Sequence, residues 1–473
     1  MTSQRRKAAP ARKRKPGIRP GARMDGFRVG ELLHEGGMSR IYHVTHPRHS
    51  LPMVMKVPRL EPQAPLSGFN AFENECRILR RLHGPHVPRF IAAGDNAANP
   101  YLVMEFIEGD RFAQAAKHAP LAVAELTALA MPVCRALHDL HRQNVIHLDL
   151  NPGNVRNRAD GEAVLIDFGL AHHAALPDVM DAAFGEDEGT TAYIAPEQVR
   201  HLRSESRSDI YALGACLYQL ATGHYPFGRP NLISLKRRLV QPPLPPRFYN
   251  PHIPAWLQEI ILHCLEIRPD HRYHTAKRVA YLLAHPEAVA LTRRAHRLRP
   301  EDHWTRARLW LCSLYRVFEN TPPVHPHERL ASSPHVLVAI DPARTSTTLN
   351  EAMLRAVERI AHQEKHSYFT CLAVVTDEEL EANADALLER QIAMRRWAKP
   401  LRLPPERIVF HALTGGPADK IVEYARQHVV DQIIIGERRR SGAARRFLGG
   451  LCSKVTAQAP CTVTVMRPLH AGV

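Results

Sequence analysis

The spacing of apolar residues changes along this chain of 473 residues, and the changes constrain its fold more than any other feature. From residue 27 to about 60 apolar residues alternate as in β-strands, and residues 69–82 then follow the helical period. The pattern is helical over 121–145 and again over most of 196–283. Over 335–468 short apolar runs alternate with helical segments, which is typical of a parallel sheet covered on both faces. The sequence therefore predicts a small strand-rich lobe, a larger helical lobe and a separate α/β domain.

Composition argues against membrane and secreted classes of protein. No stretch approaches the roughly 18 consecutive apolar residues that a membrane span requires, and the N-terminus has no apolar core of the signal-peptide kind. The eight cysteines are far apart and form no C-x-x-C pair, which predicts reduced thiols and a cytoplasmic location. The 29 histidines include no H-E-x-x-H or other metal spacing.

Two basic segments lie outside the predicted domains. Residues 1–24 contain nine Lys or Arg and no acidic residue, so they carry much of the chain's net charge of +16. This composition predicts a disordered tail. The tail is either an arm for nucleic acid, acidic lipid or an acidic partner, or a solvated extension. Residues 284–334 predict a basic linker, in which "WTRARLWLCSLYRVF" has the spacing of an amphipathic helix. We favour packing of this helix on its own domain over docking on a membrane or partner.

Phosphotransfer chemistry is indicated by motifs in a fixed order. "HLDLNPGNV" begins at His147, "LIDFGL" at Leu165 and "GTTAYIAPE" at Gly189, and upstream "MVMKV" places Lys56 in an apolar strand. Phosphoryl transfer needs a phosphate cradle, a fixed cation, metal ligands and a residue that orients the incoming hydroxyl. In order and spacing these motifs resemble the protein kinase family, specifically bacterial serine/threonine kinases, over residues 27–283. The resemblance implies an α+β bilobal protein kinase fold.

The same resemblance implies a role for each matching residue. Asp149 is the catalytic base, Lys56 holds the α and β phosphates of ATP, and Glu75 orients Lys56. Asn154 and Asp167 hold Mg²⁺. The ATP-binding residues that it implies are Leu33, His34, Glu35, Gly36, Gly37, Met38, Ser39, Arg40, Ile41, Lys56, Glu105 and Phe106. It also implies an ion pair between Glu197 of A-P-E and Arg272, and it matches Asp209 and Gly214 to the family's D-x-x-x-x-G.

Several positions depart from the family pattern. His34 and Ser39 replace the first and third glycines of the glycine-rich loop, leaving Gly36 at the second. Leu148 stands where many kinases have an arginine that receives an activating phosphate, and Asn151 stands where serine/threonine kinases usually have a lysine. Losing that lysine should slow transfer.

The predicted activation segment has few phosphate acceptors. It contains no Ser, Thr or Tyr from Leu170 to Gly189, so Thr190 and Thr191 are its only serine or threonine residues before A-P-E. We predict an enzyme that is not switched by phosphorylation of this segment, with Thr190 helping to shape the substrate groove.

The last third resembles the universal stress protein family, an α/β (Rossmann-like, parallel sheet) fold of which some members bind ATP. "HVLVAIDPARTSTTLNEAM" matches its opening, with Asp341 at the nucleotide-contacting position. The family's glycine signature keeps Gly436 and Gly449, but Arg439 and Gly450 replace its middle glycine and its hydroxyl residue. Either this domain, 335–468, forms a homodimer through "TVTVM", which we favour, or it senses nucleotide, with its arginines as an anion clamp. Those arginines are Arg438, Arg439, Arg440, Arg445 and Arg446.

The sequence thus predicts a cytoplasmic serine/threonine protein kinase that uses Mg-ATP on protein substrates. The intact set of Lys56, Glu75, Asp149, Asn154 and Asp167 argues against a dead pseudokinase. The alternative is a weakly active or non-catalytic ATP-binding scaffold that signals through the C-terminal domain. A kinase of small molecules is less favoured because of the A-P-E segment and its helical lobe.

Overall fold

The described part of the chain divides into two compact units. The computed structural model describes residues 18–59, 66–94, 100–176, 178–180, 192–299, 334–364, 367–404, 407–428, 430–437 and 450–467. The first unit comprises Met1–Pro58 and Ile91–Phe106, and the second comprises Arg59–Phe90 and Ile107–Val473. Within the described residues no helix is both long and apolar enough to cross a membrane. Residues 1–17 of the basic tail and the predicted amphipathic helix of the linker lie outside the described residues.

A six-stranded sheet forms the first unit. Its strands lie in the order β1-β2-β3-β4-β6-β5. Neighbouring strands from β1 to β4 pair in an antiparallel way, and so do β4 and β6. Alternate residues of these strands face one apolar core that includes Val29, Val44, Met55 and Val103, as the period-two pattern predicts. The strands are β1 Arg23–Met24, β2 Phe27–Glu35, β3 Ser39–His46, β4 His49–Pro58, β5 Phe90–Gly94 and β6 Tyr101–Glu105.

Residues 18–24, which the sequence analysis assigned to the disordered tail, are ordered. Arg23 and Met24 pair with the start of β2, and Ile18, Ala22 and Met24 pack against the core of the sheet. The expectation of disorder is wrong for these residues because three apolar side chains and a strand partner offset the cost of ordering them.

The second unit begins with α1 and continues with a helical lobe. α5 is buried on nearly all sides, because its sequence is apolar around most of its circumference. The helices are α1 Leu66–Leu79, α2 Arg111–Lys117, α3 Val123–Arg142, α4 Pro196–Val199, α5 Arg207–Thr222, α6 Leu232–Arg238, α7 Pro246–Tyr249, α8 Ala255–Cys264, α9 Ala276–Ala284 and α10 Arg293–His296. Two small antiparallel pairs join β7 Val145–Ile146 to β10 His172–His173 and β8 Val155–Asn157 to β9 Ala163–Leu165.

The helical lobe extends past the predicted domain end at residue 283. The carboxylate of Glu259 on α8 accepts hydrogen bonds from Thr292, from Arg294 Nε at 3.0 Å and from the N–H of Ala295 at 3.0 Å. Glu259 is fully buried, so these donors satisfy a charge that would otherwise be costly. Residues 292–296 are therefore part of the lobe rather than of a free linker.

The C-terminal part of the second unit is a five-stranded parallel sheet in the order β13-β12-β11-β14-β15. Helices α11 and α13 cover one face and α14 and α15 the other, which confirms the predicted parallel sheet with two covered faces. The strands are β11 His335–Ala339, β12 Tyr368–Val375, β13 Ile408–Thr414, β14 Gln432–Gly436 and β15 Thr462–Met466. The helices are α11 Thr347–Gln363, α12 Asp377–Ala382, α13 Ala386–Ala398, α14 Pro417–Gln427 and α15 Leu451–Gln458.

Candidate active site

The segment that carries Asp149 is fixed by a carboxylate of α5. The N–H groups of His147 and Leu148 each donate to Asp209 at 2.8 Å, and His141 Nε2 lies 2.8 Å from the same carboxylate. Leu148 takes a left-handed conformation with φ of 61°, so the chain turns sharply just before Asp149. Burial acts to raise the pKa of Asp209, but the hydrogen bonds and charges of the two histidines outweigh it and lower that pKa. A charged, buried carboxylate therefore holds this loop in place.

Two asparagines orient the side chain of Asp149. Asn151 Nδ2 lies 3.2 Å from Asp149 Oδ1, and Asn154 Nδ2 lies 2.9 Å from Asp149 Oδ2. Both amides also donate to the carbonyl oxygen of Asp149. Asn151 Oδ1 in turn accepts the N–H of Gly153 at 2.9 Å and caps the short 3₁₀ turn Pro152–Asn154. Each carboxylate oxygen thus has its own amide donor.

The backbone just before Asp167 is hydrogen-bonded to Asn154. The residue before Asp167, Ile166, donates its N–H to the carbonyl of Asn154 at 3.0 Å, and Asp167 itself has a φ of 65°. The ring of Phe168 is fully buried, 5.3 Å from the ring of His147. Because the side-chain nitrogen of Asn154 already donates hydrogen bonds, its oxygen is the atom suited to a cation. One amide oxygen and one carboxylate form a ligand set that fits Mg²⁺, which usually binds one or two protein groups together with phosphate oxygens.

Helix α1 is tied to the segment that begins at Asp167. Glu75 on α1 is fully buried, and its Oε1 lies 3.4 Å from the N–H of Phe168. Asn74 Nδ2 donates to the carbonyl oxygens of Gly169 at 2.9 Å and of Ala171 at 2.6 Å. Asn74 was not predicted from the sequence.

The predicted phosphate cradle and Lys56 belong to the first unit. Lys56 lies on β4, paired with Ile41 on β3 and Leu102 on β6. The turn between β2 and β3 is closed by a hydrogen bond from the Gly36 N–H to the Ser39 carbonyl at 2.9 Å. Of the predicted ATP-binding residues, Leu33, His34 and Glu35 lie on β2, Gly36, Gly37 and Met38 in the turn, Ser39, Arg40 and Ile41 on β3, Glu105 at the end of β6 and Phe106 just after it.

The backbone N–H of one predicted ATP-binding residue is already used within the sheet. The backbone N–H of Phe106 donates to the carbonyl of Pro52 at 2.9 Å. This hydrogen bond fixes the chain where it leaves β6. Because the N–H of Phe106 is used, its carbonyl oxygen is the backbone group that could bind a ligand.

Sequence comparison decides the family. Residues 27–286, more than half of the chain, match the family model for the protein kinase domain. The chain belongs to the protein kinase family. Residues 333–467 of this kinase match the universal stress protein family. Both recognitions made from the sequence are confirmed.

This protein kinase is similar to several bacterial proteins over its kinase region. It is 29% identical to serine/threonine-protein kinase PknB of Mycolicibacterium smegmatis over 260 residues, which is 53% of this chain and 41% of that protein. It is 32% identical to the DNA damage-responsive serine/threonine-protein kinase RqkA of Deinococcus radiodurans over 273 residues, 56% of this chain and 40% of that protein. The chain thus spans about two fifths of the length of these curated relatives. Among solved structures, the kinase domain of Mycobacterium tuberculosis PknI is similar, with 25% identity, a TM-score of 0.45, and coverage of 57% of this chain and 99% of that one.

The ion pair expected in the helical lobe of the kinase is present. Arg272 Nη1 lies 2.6 Å from Glu197 Oε1, and Nη2 lies 2.8 Å from Oε2. Both side chains are buried, and Ser208 Oγ donates to the same carboxylate at 2.6 Å. A bidentate, desolvated pair of this kind anchors the A-P-E segment on α5 and on the chain that follows α8.

A second buried ion pair, which the sequence analysis missed, holds the start of the activation segment. Arg203 Nε lies 2.7 Å from Asp178 Oδ2, and Arg203 Nη2 donates to the carbonyl of Leu170 at 2.9 Å. His172 Nδ1 lies 3.3 Å from the same carboxylate oxygen. Burial acts to raise the pKa of Asp178, but the charge of Arg203 and the contacts of His172 hold that pKa well below its usual range.

In the stress-protein domain, Asp341 already has a cationic partner. Arg390 Nε on α13 lies 2.9 Å from Asp341 Oδ2. Gly436 ends β14 and Gly450 precedes α15. The five candidate clamp arginines and Gly449 all fall in 438–449, outside the described residues.

Proposed function

We propose that this kinase transfers the γ-phosphate of Mg-ATP to serine or threonine hydroxyl groups of proteins. The main support for this proposal is that Asn151 and Asn154 each donate to one oxygen of the Asp149 carboxylate. The chain just before Asp167 is hydrogen-bonded to Asn154. The names of the relatives, which are serine/threonine-protein kinases, support the hydroxyl class of substrate.

Each side chain then has one task in the transfer. Asp149 orients the incoming hydroxyl and takes its proton as the oxygen attacks the γ-phosphorus, while the bond from that phosphorus to the bridging oxygen of ADP breaks. Lys56 contacts the α and β phosphates, and Glu75 orients Lys56. Asn154 and Asp167 would hold Mg²⁺, which when bound neutralises negative charge on the phosphate oxygens. Asn151 supplies a hydrogen bond where relatives have a positive charge, so we expect a modest rate.

We further propose that the enzyme works without phosphorylation of its activation segment. Asp178 supports this, because it gives Arg203 a permanent negative partner of the kind that a phosphate supplies in other kinases. Leu148 agrees, since a buried apolar residue there has nothing to offer a phosphate. The two threonines Thr190 and Thr191 lie outside the described residues.

For the stress-protein domain we propose pairing of two chains rather than nucleotide sensing. The ion pair of Asp341 with Arg390 supports this choice, because a nucleotide would have to compete with a charged partner for that carboxylate. Binding of nucleic acid or an acidic partner by the basic tail stays a prediction.

The test is transfer of labelled phosphate from ATP to the protein itself and to casein. Replacement of Asp149 by Asn should lower kcat by roughly 10²- to 10⁴-fold, the usual contribution of a general base. Lys56→Met should also abolish most activity, since its charge is lost from the phosphate site. The matched control is Asp160→Asn, an exposed aspartate in the turn between β8 and β9, which should keep full activity.

The same assay tests the alternative that the protein is a non-catalytic scaffold. A wild type that binds ATP but transfers phosphate no faster than Asp149→Asn would identify a non-catalytic scaffold. A wild type that phosphorylates tyrosine in preference to serine and threonine would overturn the substrate class.

A further inference from the structure

The stress-protein domain contacts the kinase helix that carries Glu75. Gln391 on α13 donates through Nε2 to Asn70 Oδ1 on α1 at 2.7 Å and to the carbonyl of Phe410 on β13 at 2.9 Å. Asn70 and Gln391 are both buried, with 3% and 1% of their surfaces exposed. A buried amide pair of this kind requires both partners in place, because either one alone would leave polar atoms unsatisfied.

A charged contact lies one turn along the same two helices. Arg395 on α13 forms an ion pair with Glu73 on α1. Its guanidinium also lies 5.1 Å from the ring centre of Phe69 on α1 and 4.8 Å from that of Phe410 on β13. An arginine between two aromatic rings and a carboxylate is specific for its partner, since a lysine offers neither the planar stack nor the fork of donors.

A third contact reaches the activation segment. Val179 and Met180 form a buried apolar cluster with Val409 on β13, and Ala71 on α1 and Leu170 pack against it. Nearby on β13, His411 is buried, and burial lowers its pKa to about 3, so the imidazole is neutral at physiological pH. The cluster therefore buries apolar surface from α1, the activation segment and β13, and the neutral His411 adds no charge beside it.

Helix α1 contacts both the stress-protein domain and the segment that follows Asp167. The same helix holds the segment after Asp167 through Asn74 and Glu75, as described above. Asn70 and Glu73 face the stress-protein domain. α1 is thus held between the stress-protein domain and the segment that begins at Asp167.

We propose that Gln391 and Arg395 are positioning residues of the kinase: through α1 they hold Glu75 and the activation segment in the arrangement needed for transfer. The stress-protein domain is then a built-in activator that acts on α1 from within the same chain. This inference rests on the proposed kinase activity and names how that activity is supported.

The test compares Arg395→Met with Arg396→Met in the full chain. Arg396 is the exposed neighbour on the same helix, so its replacement controls for the loss of a charge and for the introduced methionine. Arg395→Met should lower kcat/KM by a factor between roughly 5 and 150, the range typical of coupling between sites. It should also speed amide hydrogen exchange in residues 66–79 and 168–180, whereas Arg396→Met should change neither quantity.

A double-mutant cycle separates the contact from a general loss of folding. If Glu73→Gln and Arg395→Met act through one ion pair, the double variant should be no slower than the worse single variant. Multiplied losses would overturn the proposal, as would unchanged hydrogen exchange in Arg395→Met or an increase in kcat. A wild type without Asp149-dependent transfer would refute the kinase activity instead. Hydrogen exchange would still report whether the domain holds α1.

Discussion

Asn151 stands where the family pattern usually has a lysine. A lysine there would place a cation near the γ-phosphate, whereas the asparagine ties Asp149 to the N–H of Gly153. In the proposed site, a hydrogen bond to the carboxylate of Asp149 thus takes the place of a positive charge near the phosphate. The sequence could not predict this arrangement, because only the hydrogen-bond geometry shows which groups the side-chain amide of Asn151 contacts.

We expect Asn151→Ala to lower kcat by roughly 10- to 100-fold, because Asp149 loses one of its two orienting donors. Loss of the cap on the 3₁₀ turn should lower the free energy of unfolding by about 1 kcal/mol. Steady-state kinetics and chemical denaturation measure the two effects.

The control for this prediction is Asn154→Ala. That variant loses a proposed metal ligand, so it should raise the Mg²⁺ concentration needed for half-maximal rate. Asn151→Ala should leave that concentration unchanged. A shift of equal size in both variants would mean that Asn151 also serves the metal.

At the scale of elements, the proposed independence of phosphorylation can be tested at the ion pair of Asp178 and Arg203. We expect phosphatase treatment to leave the activity of the wild type unchanged. Asp178→Asn should lower both the activity and the thermal unfolding midpoint, because the buried Arg203 loses its charged partner. Full activity in Asp178→Asn, or loss of wild-type activity after phosphatase treatment, would contradict this reading.

The pH dependence of the same pair has a definite sign. The pKa of Asp178 is held below its usual range in the folded protein, so the carboxylate stabilises the fold at every pH above its unfolded pKa of about 3.9. The advantage of wild type over Asp178→Asn in unfolding free energy should be full at pH 7. It should shrink as the pH falls below about 4, toward the lower pKa of the folded state.

Local sequence patterns predicted the strands and helices better than they predicted the contacts between them. The alternation of apolar residues in β2 to β4 and the runs "HVLVAI" and "QIIIG" identify the strands, because strand and helix periods are written in neighbouring residues. The pair of Glu197 and Arg272 was found through family resemblance. Arg203 and Asp178 were missed because 25 positions separate them and nothing local marks them as partners.

At the scale of the molecule, the stress-protein domain contacts the kinase helix α1 at one edge of its sheet. β13 and the adjacent α13 contact α1 and the activation segment, whereas β15 forms the other edge. Gln391 and Asn70 are 321 positions apart, so no reading of periodicity would have brought them together. The sequence predicted two folds, but not that the second contacts the first.

The edge strand β15 carries the last prediction. Among the described residues β15 pairs with β14 alone, and Val465 on it is exposed at 36% of its surface. An edge strand of this kind invites a second strand, so we expect two chains to pair there. Sedimentation of the full chain should therefore give a concentration-dependent dimer. Val465→Lys should weaken it, because two copies would bring like charges together, whereas Ser453→Lys on the exposed side of α15 should leave it intact. A wild type that sediments as a monomer at all concentrations would refute the pairing, and kinase activity unchanged by Val465→Lys would show that α1 is held within each chain.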